Sequence, residues 1–96
     1  MFFSVVNQKE NLVSFVRRLG YKPLGYTSQN ELNCIRSLSG DYPRFHAYIK
    51  EENGKFIFSL HLDQKKPSYE GAVAHSGDYD SEIVKEEAER IREMVG

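Results

Sequence analysis

Features that define several protein classes are scarce in this 96-residue sequence. The one cysteine, Cys34, excludes an internal disulfide, and no Cys-x-x-Cys pair offers a zinc motif. No apolar run approaches the ~18 residues of a membrane helix. The segment Met1–Val6 lacks the basic start and the cleavage site of a secretory signal. These absences predict a cytoplasmic protein with no membrane partner.

Net charge is also low, at −1, so the chain lacks the overall basic character of many nucleic-acid-binding proteins. The charge is unevenly distributed, because residues 1–66 hold 10 Lys/Arg against 6 Asp/Glu, whereas residues 67–96 hold 3 against 8. This asymmetry fits a basic binding face with an acidic back, or only a solvated acidic helix. The length predicts a single domain over residues 1–96.

The N-terminal third predicts one helix. Asn7 and Glu10 resemble a capping box, and apolar residues at helical spacing follow, so we expect the helix over Gln8–Leu19. Residues 2–6 fit either a short strand or an earlier start of this helix. The segment Tyr21–Gly25 contains proline and glycine, which predicts a break in regular structure.

The rest of the chain predicts three strands and a second helix. Glu31–Leu38 is expected to be a strand, with Cys34 facing inward as a small buried hydrophobe. A hairpin follows it, and Asp80 is expected to cap a helix over Ser81–Val95. The inward positions of that helix are Ile83, Val84, Ala88, Ile91 and Val95. The predicted fold is therefore α+β, in the order α-β-β-β-α, with a three-stranded antiparallel sheet and two helices packed on one face.

The hairpin has a register that its turn dictates. Asn53-Gly54 between two alternating runs is a strong signal for a two-residue type I′ turn. The opposed pairs are then Glu52–Lys55, Lys50–Ile57, Tyr48–Ser59, His46–His61 and Arg44–Asp63. Because strand side chains alternate, the intervening residues form a core face. The opposite side, which we call the open face, carries Arg44, His46, Tyr48, His61 and Asp63.

Two histidines and an aspartate converge on the open face. His61 and Asp63 lie on one side of a strand, and His46 stands ~5 Å away across the ladder. Such a set suits Zn²⁺, Mn²⁺ or Fe²⁺, with open positions for water or substrate. The same geometry also suits a phosphate held by protonated histidine and Arg44. The plainer interpretation is a surface histidine pair beside an Arg44–Asp63 ion pair.

A long connection, Gln64–Asp80, begins beside the open face. Connections of this length are often functional. Its basic and aromatic residues suit a nucleotide or single-stranded nucleic acid, with Tyr48 of the open face as a further contact. The residues concerned are Lys65, Lys66, Tyr69, His75, Asp78 and Tyr79, of which His75 is also a possible further metal ligand or acid. The alternative is a compact loop packed by its own tyrosines.

Three resemblances accompany these patterns. The strings YPRFHAYI, FSLHLDQKKPSYEG and AHSGDYD resemble small uncharacterised prokaryotic proteins. The α-β-β-β-α order is similar to double-stranded RNA-binding domains and to HicA-type toxin ribonucleases, but the acidic last helix and the lack of a Gly-Ser-His depart from them. His61-Leu62-Asp63 resembles the metal-binding strand of bacterial 3′-phosphoesterase domains.

The leading functional hypothesis is a small-ligand, phosphate or divalent-metal site on the open face. Its metal ligands are His46, His61 and Asp63, and the leading metals are zinc and manganese. The alternative is a non-catalytic binding module for nucleic acid or a protein partner. A third hypothesis is a homodimer formed through an exposed sheet edge. No motif in the chain decides whether it is an enzyme.

Overall fold

The computed structural model describes residues 1–7, 9–64, 77–78 and 81–95, the side chains of 77 and 78 excepted. Six strands and two helices follow one another along the chain. They are β1 (Phe2–Val6), α1 (Leu12–Arg18), β2 (Lys22–Tyr26), β3 (Leu32–Ser37), β4 (Arg44–Glu52), β5 (Lys55–Asp63), β6 (Gly77–Asp78) and α2 (Glu82–Glu93). The α+β class is as expected, but the order of elements is not.

Five strands form one antiparallel sheet in the order β1-β5-β4-β3-β2, and the two-residue β6 also pairs with β5. The predicted three-stranded sheet and its α-β-β-β-α order are therefore wrong. Residues 2–6 form a strand because their alternating side chains pair with β5, from Phe2 opposite Ser59 to Val6 opposite Lys55.

The expected break at Tyr21–Gly25 is instead strand β2. Its proline is accommodated because β2 lies at the edge of the sheet, where one side of the backbone needs no ladder partner. The pairing with β3 shifts register between Pro23 and Gly25, and Gly25 adopts a φ of 133°. A bulged edge strand can therefore contain both residues that suggested a break.

Helix α1 begins at Leu12 rather than at Gln8. Lys9 has a φ of 66°, which no right-handed helix contains, so the chain turns before the helix starts. Asn11 then caps the helix, because its side-chain oxygen accepts from the backbone nitrogens of Val13 and Ser14. Asn7, the expected cap, accepts from the Glu10 nitrogen in the preceding turn.

Both helices contribute to one apolar core on the core face of the sheet. Phe15 of α1 stacks on Phe56, and Val84, Ala88 and Ile91 of α2 are buried in the same cluster. Cys34 is fully buried, as expected, and burial raises the pKa of its thiol to about 12. No helix in the described part of the chain is long and apolar enough to cross a membrane.

A buried ionic group joins α2 to the sheet. We call it the Glu87 cluster, and it consists of Glu87, Tyr21, Arg36 and Arg90. Glu87 is only 4% exposed, although it was not among the inward positions predicted for this helix. The Tyr21 hydroxyl donates to Oε2 (2.6 Å), and Arg90 donates from Nε to Oε1 (2.7 Å) and from Nη2 to Oε2 (2.9 Å). Each of these contacts thus donates a hydrogen bond to the Glu87 carboxylate.

Candidate metal centre on the open sheet face

The β4–β5 hairpin positions the site, and its predicted register is confirmed. Asn53 and Gly54 have φ values of 53° and 75°, the two positive angles that a type I′ turn requires. His46 lies opposite His61, and Arg44 lies opposite Asp63. Because side chains alternate along a strand, these residues share the face that the helices leave uncovered.

Asp63 is the centre of the site. Its Oδ2 lies 3.0 Å from Nδ1 of His46, and its Oδ1 lies 2.8 Å from Nε2 of His61. Each of the three residues offers one ligand atom, and these three atoms all lie within 4.8 Å of one another. The side chains of both histidines are 12% exposed and that of Asp63 is 19% exposed, so the set is recessed yet reachable.

Asn33 of β3 completes the surroundings of His46, and sequence reasoning missed it. Its Oδ1 lies 2.5 Å from Nε2 of His46. The ring therefore has an oxygen at each nitrogen, Asn33 on one side and Asp63 on the other. The signal for Asn33 was the inward assignment of Cys34, because the neighbouring residue on a strand must face the other way. We call His46, His61, Asp63 and Asn33 the His46 cluster.

Burial governs the proton affinity of His46. Desolvation lowers the pKa of its imidazole, and the nearby Asp63 carboxylate opposes this by favouring the charged ring. His61 and Arg44 act in the same direction as burial, and Arg44 does so because its positive charge lies close to the ring. The neutral form of His46 is favoured on balance, and a neutral imidazole carries a single N–H.

Aromatic rings and a guanidinium border the cluster. The Tyr48 ring stacks on His46 with centroids 4.7 Å apart, and the two imidazole centroids are 4.8 Å apart. Arg44 places Nε 3.4 Å from Oδ2 of Asp63 and lies over the Tyr42 ring. The structure thus brings together Arg44 and Tyr48, two predicted ligand-binding residues, with the three predicted metal ligands.

The structure does not describe the side chains of the remaining predicted site residues. Lys65, Lys66 and His75, like the other named side chains of the long connection, lie outside the described residues. The expected Asp80 cap lies outside them too, and Ser81 occupies the N-cap position of α2. Comparisons of the chain with protein-family models, with curated proteins and with solved structures give no match.

Proposed function

We propose that the protein binds a divalent transition-metal ion on the open face, zinc in the first place and manganese in the second, through His46, His61 and Asp63. The observation that carries this proposal is the convergence of one ligand atom each from His46, His61 and Asp63 within 4.8 Å of one another. Within the described residues, the phosphate and binding-module hypotheses have no comparable geometric support.

A neutral imidazole carries a single proton, and each ring nitrogen of His46 faces an oxygen. If Nε2–H donates to Asn33, then Nδ1 directs its lone pair at a carboxylate oxygen 3.0 Å away, and a cation between them would satisfy both atoms. If Nδ1–H donates to Asp63 instead, metal binding displaces that proton. Burial disfavours a second proton on this ring. A metal ion bound to Nδ1 and Oδ2 satisfies both atoms and leaves the bond to Asn33 intact.

The donor set matches known preferences of zinc. Two imidazole nitrogens and one carboxylate oxygen form a typical three-residue catalytic zinc set, with bonds of about 2.0–2.2 Å and a fourth position for water. A ligating histidine usually donates its other N–H to an oxygen, and Oδ1 of Asn33 lies within reach of Nε2 of His46 to accept it. Because the three ligand atoms already lie within 4.8 Å of one another, small side-chain rotations suffice to close the site.

Arg44 suggests what the bound ion would act on. Its guanidinium lies beside Asp63 and carries positive charge at the rim of the site. An anionic substrate bound to the metal would meet that charge, and metal-activated water with a nearby arginine suits hydrolysis of a phosphate ester. Phosphate-ester hydrolysis is therefore the reaction class to assay once metal binding is measured.

Calorimetry with Zn²⁺ and then Mn²⁺ on chelator-treated protein tests the proposal. We expect one ion per chain, a higher unfolding temperature with metal, and shifts of the ring signals of His46 and His61 at pH 7.5. Binding should weaken at low pH, because protons compete for the ligand nitrogens. The absence of both heat and ring shifts would overturn the proposal.

Two variants and a control locate the ion. His61→Gln should weaken binding at least 100-fold, because one of three ligands is lost. Asn33→Ala should weaken it about 10- to 100-fold, which is the usual effect of removing a residue that orients a ligand. Lys50→Ala changes a half-exposed residue of the same strand face and should bind as wild type does. Equal affinity of Asn33→Ala and Lys50→Ala would contradict the assigned role of Asn33.

A further inference from the structure

The two edges of the sheet differ in how they are protected. At one edge, β2 contains Lys22 and Pro23 and a register shift, three features that hinder pairing with another strand. At the other edge, β1 contains no charge, proline or bulge. Phe2 and Val6 of β1 are 81% and 56% exposed. Within the described residues, β1 pairs with β5 alone.

Hydrogen bonds at the ends of β1 show which of its backbone groups face β5 and which face outward. The Met1 nitrogen donates to the Leu60 oxygen (2.7 Å), and the Leu60 nitrogen donates back (2.9 Å). The Asn7 nitrogen donates to the Gly54 oxygen (2.8 Å). Because antiparallel backbone groups alternate in direction, odd-numbered residues of β1 face β5. The N–H and C=O groups of Phe2, Ser4 and Val6 therefore point away from the sheet.

We infer that this free edge pairs with the same edge of a second copy of the chain, antiparallel and centred on Ser4. In that register Ser4 lies opposite Ser4 of the second copy, and Phe2 lies opposite Val6 of the second copy. Each of the three opposed pairs can exchange two N–H···O=C bonds, or about six in total. The edge is self-complementary because Phe2 and Val6, which would lie opposite each other in the two copies, are both apolar.

Side-chain burial adds to these backbone bonds. Phe2 and Val6 project on the open-face side of β1, and Ile57 of β5, 36% exposed, lies beside them opposite Ser4. Pairing about Ser4 covers Phe2, Val6 and Ile57 with the same three residues of the second copy. The product is one continuous ten-stranded sheet, in which both copies of the His46 cluster occupy the same side.

Molecular mass and amide exchange test the dimer, and both are measured with a chelator present so that the result is independent of metal binding. We expect the mass to rise from one chain to two between micromolar and millimolar concentration. In the dimer the amides of Phe2, Ser4 and Val6 should become protected from hydrogen exchange. The amides of Phe3 and Val5, which face β5, should be protected at every concentration.

Three substitutions of exposed Ser4 separate pairing from folding. Ser4→Pro removes the two central bonds, one from each copy, and should raise the dissociation constant about 30-fold. Ser4→Lys places like charges directly opposite one another and should raise it several-fold without a strain on φ. Ser4→Thr is the matched control and should dimerise as wild type does.

Two results with the wild-type chain would overturn the inference. One is a single-chain mass at millimolar concentration with rapid exchange at Phe2, Ser4 and Val6. The other is a single-chain mass with those amides protected, which would show that the chain covers its own edge. Equal association of Ser4→Pro, Ser4→Lys and Ser4→Thr, with unfolding temperatures matching wild type, would place the contact elsewhere.

Discussion

The Glu87 cluster and the His46 cluster lie on opposite faces of one sheet and solve different electrostatic problems. Glu87 is buried, and all its partners are donors: Tyr21, Arg90 and Arg36. In the His46 cluster two side-chain oxygens flank one imidazole, whose donor and acceptor atoms depend on its tautomer. The first cluster is satisfied among the described residues, whereas the second would be completed by the metal ion that we propose. A buried polar group is thus judged by its balance of donors and acceptors rather than by its burial.

The largest expected effect is on the complete cluster. Glu87→Gln should lower the free energy of unfolding by about 3 kcal/mol, the lower end for breaking a buried ion pair, because Arg36 and Arg90 remain about one-third exposed. Urea denaturation measures the change. Glu86→Gln is the matched control on the adjacent, exposed residue and should stay within ~0.5 kcal/mol of wild type. Equal urea midpoints for the two variants would show that the Glu87 cluster does not stabilise the fold.

A smaller loss in the free energy of unfolding, about 1.5 kcal/mol, is expected from Tyr21→Phe, because one hydrogen bond to a charged group disappears.

The Tyr21→Phe variant also tests the pH dependence of stability. Burial, followed by the Glu87 charge, raises the pKa of the Tyr21 phenol above its ordinary value. The unfolded chain ionises near pH 10 and the folded one does not, so stability is lost as pH rises above about 10.

Urea denaturation at pH 8 and pH 11 measures that dependence. The wild type should lose more stability between the two values than Tyr21→Phe does, so the difference between the proteins should shrink at pH 11. A constant difference at both values would show that the folded phenol titrates normally.

The smallest expected effect on stability is in the second cluster. Without metal, Asp63→Asn should lower the free energy of unfolding by about 1 kcal/mol, because the amide keeps one acceptor oxygen and the Asp63 side chain is 19% exposed, against 3% for Glu87. With zinc at 100 times the dissociation constant, the wild type should gain about 2.7 kcal/mol, whereas Asp63→Asn should gain almost nothing. Glu87→Gln should keep the full gain. A metal-free loss in Asp63→Asn as large as that in Glu87→Gln would end the contrast between the clusters.

The sequence predicts local pairing well and distant pairing poorly. The β4–β5 register follows from two turn residues, and with it the placement of the three proposed metal ligands. Strand β1 pairs with residues 49 to 57 positions away, and no turn links the two. Strand β2 was hidden by Pro23, whose tolerance depends on an edge position that only the assembled sheet defines.

The missed members of both clusters have the same cause. Asn33 meets His46 through the β3–β4 register, which no two-residue turn fixes. Glu87 lies on the buried side of α2, although it was not among the inward positions predicted for this helix. In each case a partner on another element makes the position suitable for a polar residue, and that partner is distant in the sequence.

The type I′ turn at Asn53-Gly54 gives the site a spacing rule. His46 precedes the turn by the same six intervening residues by which His61 follows it, and Asp63 comes two residues later. One residue inserted on either arm would turn that arm's ligands into the apolar core. The pattern His-x6-Asn-Gly-x6-His-x-Asp, on two alternating arms, therefore serves as a search signature for the same ligand trio in other chains.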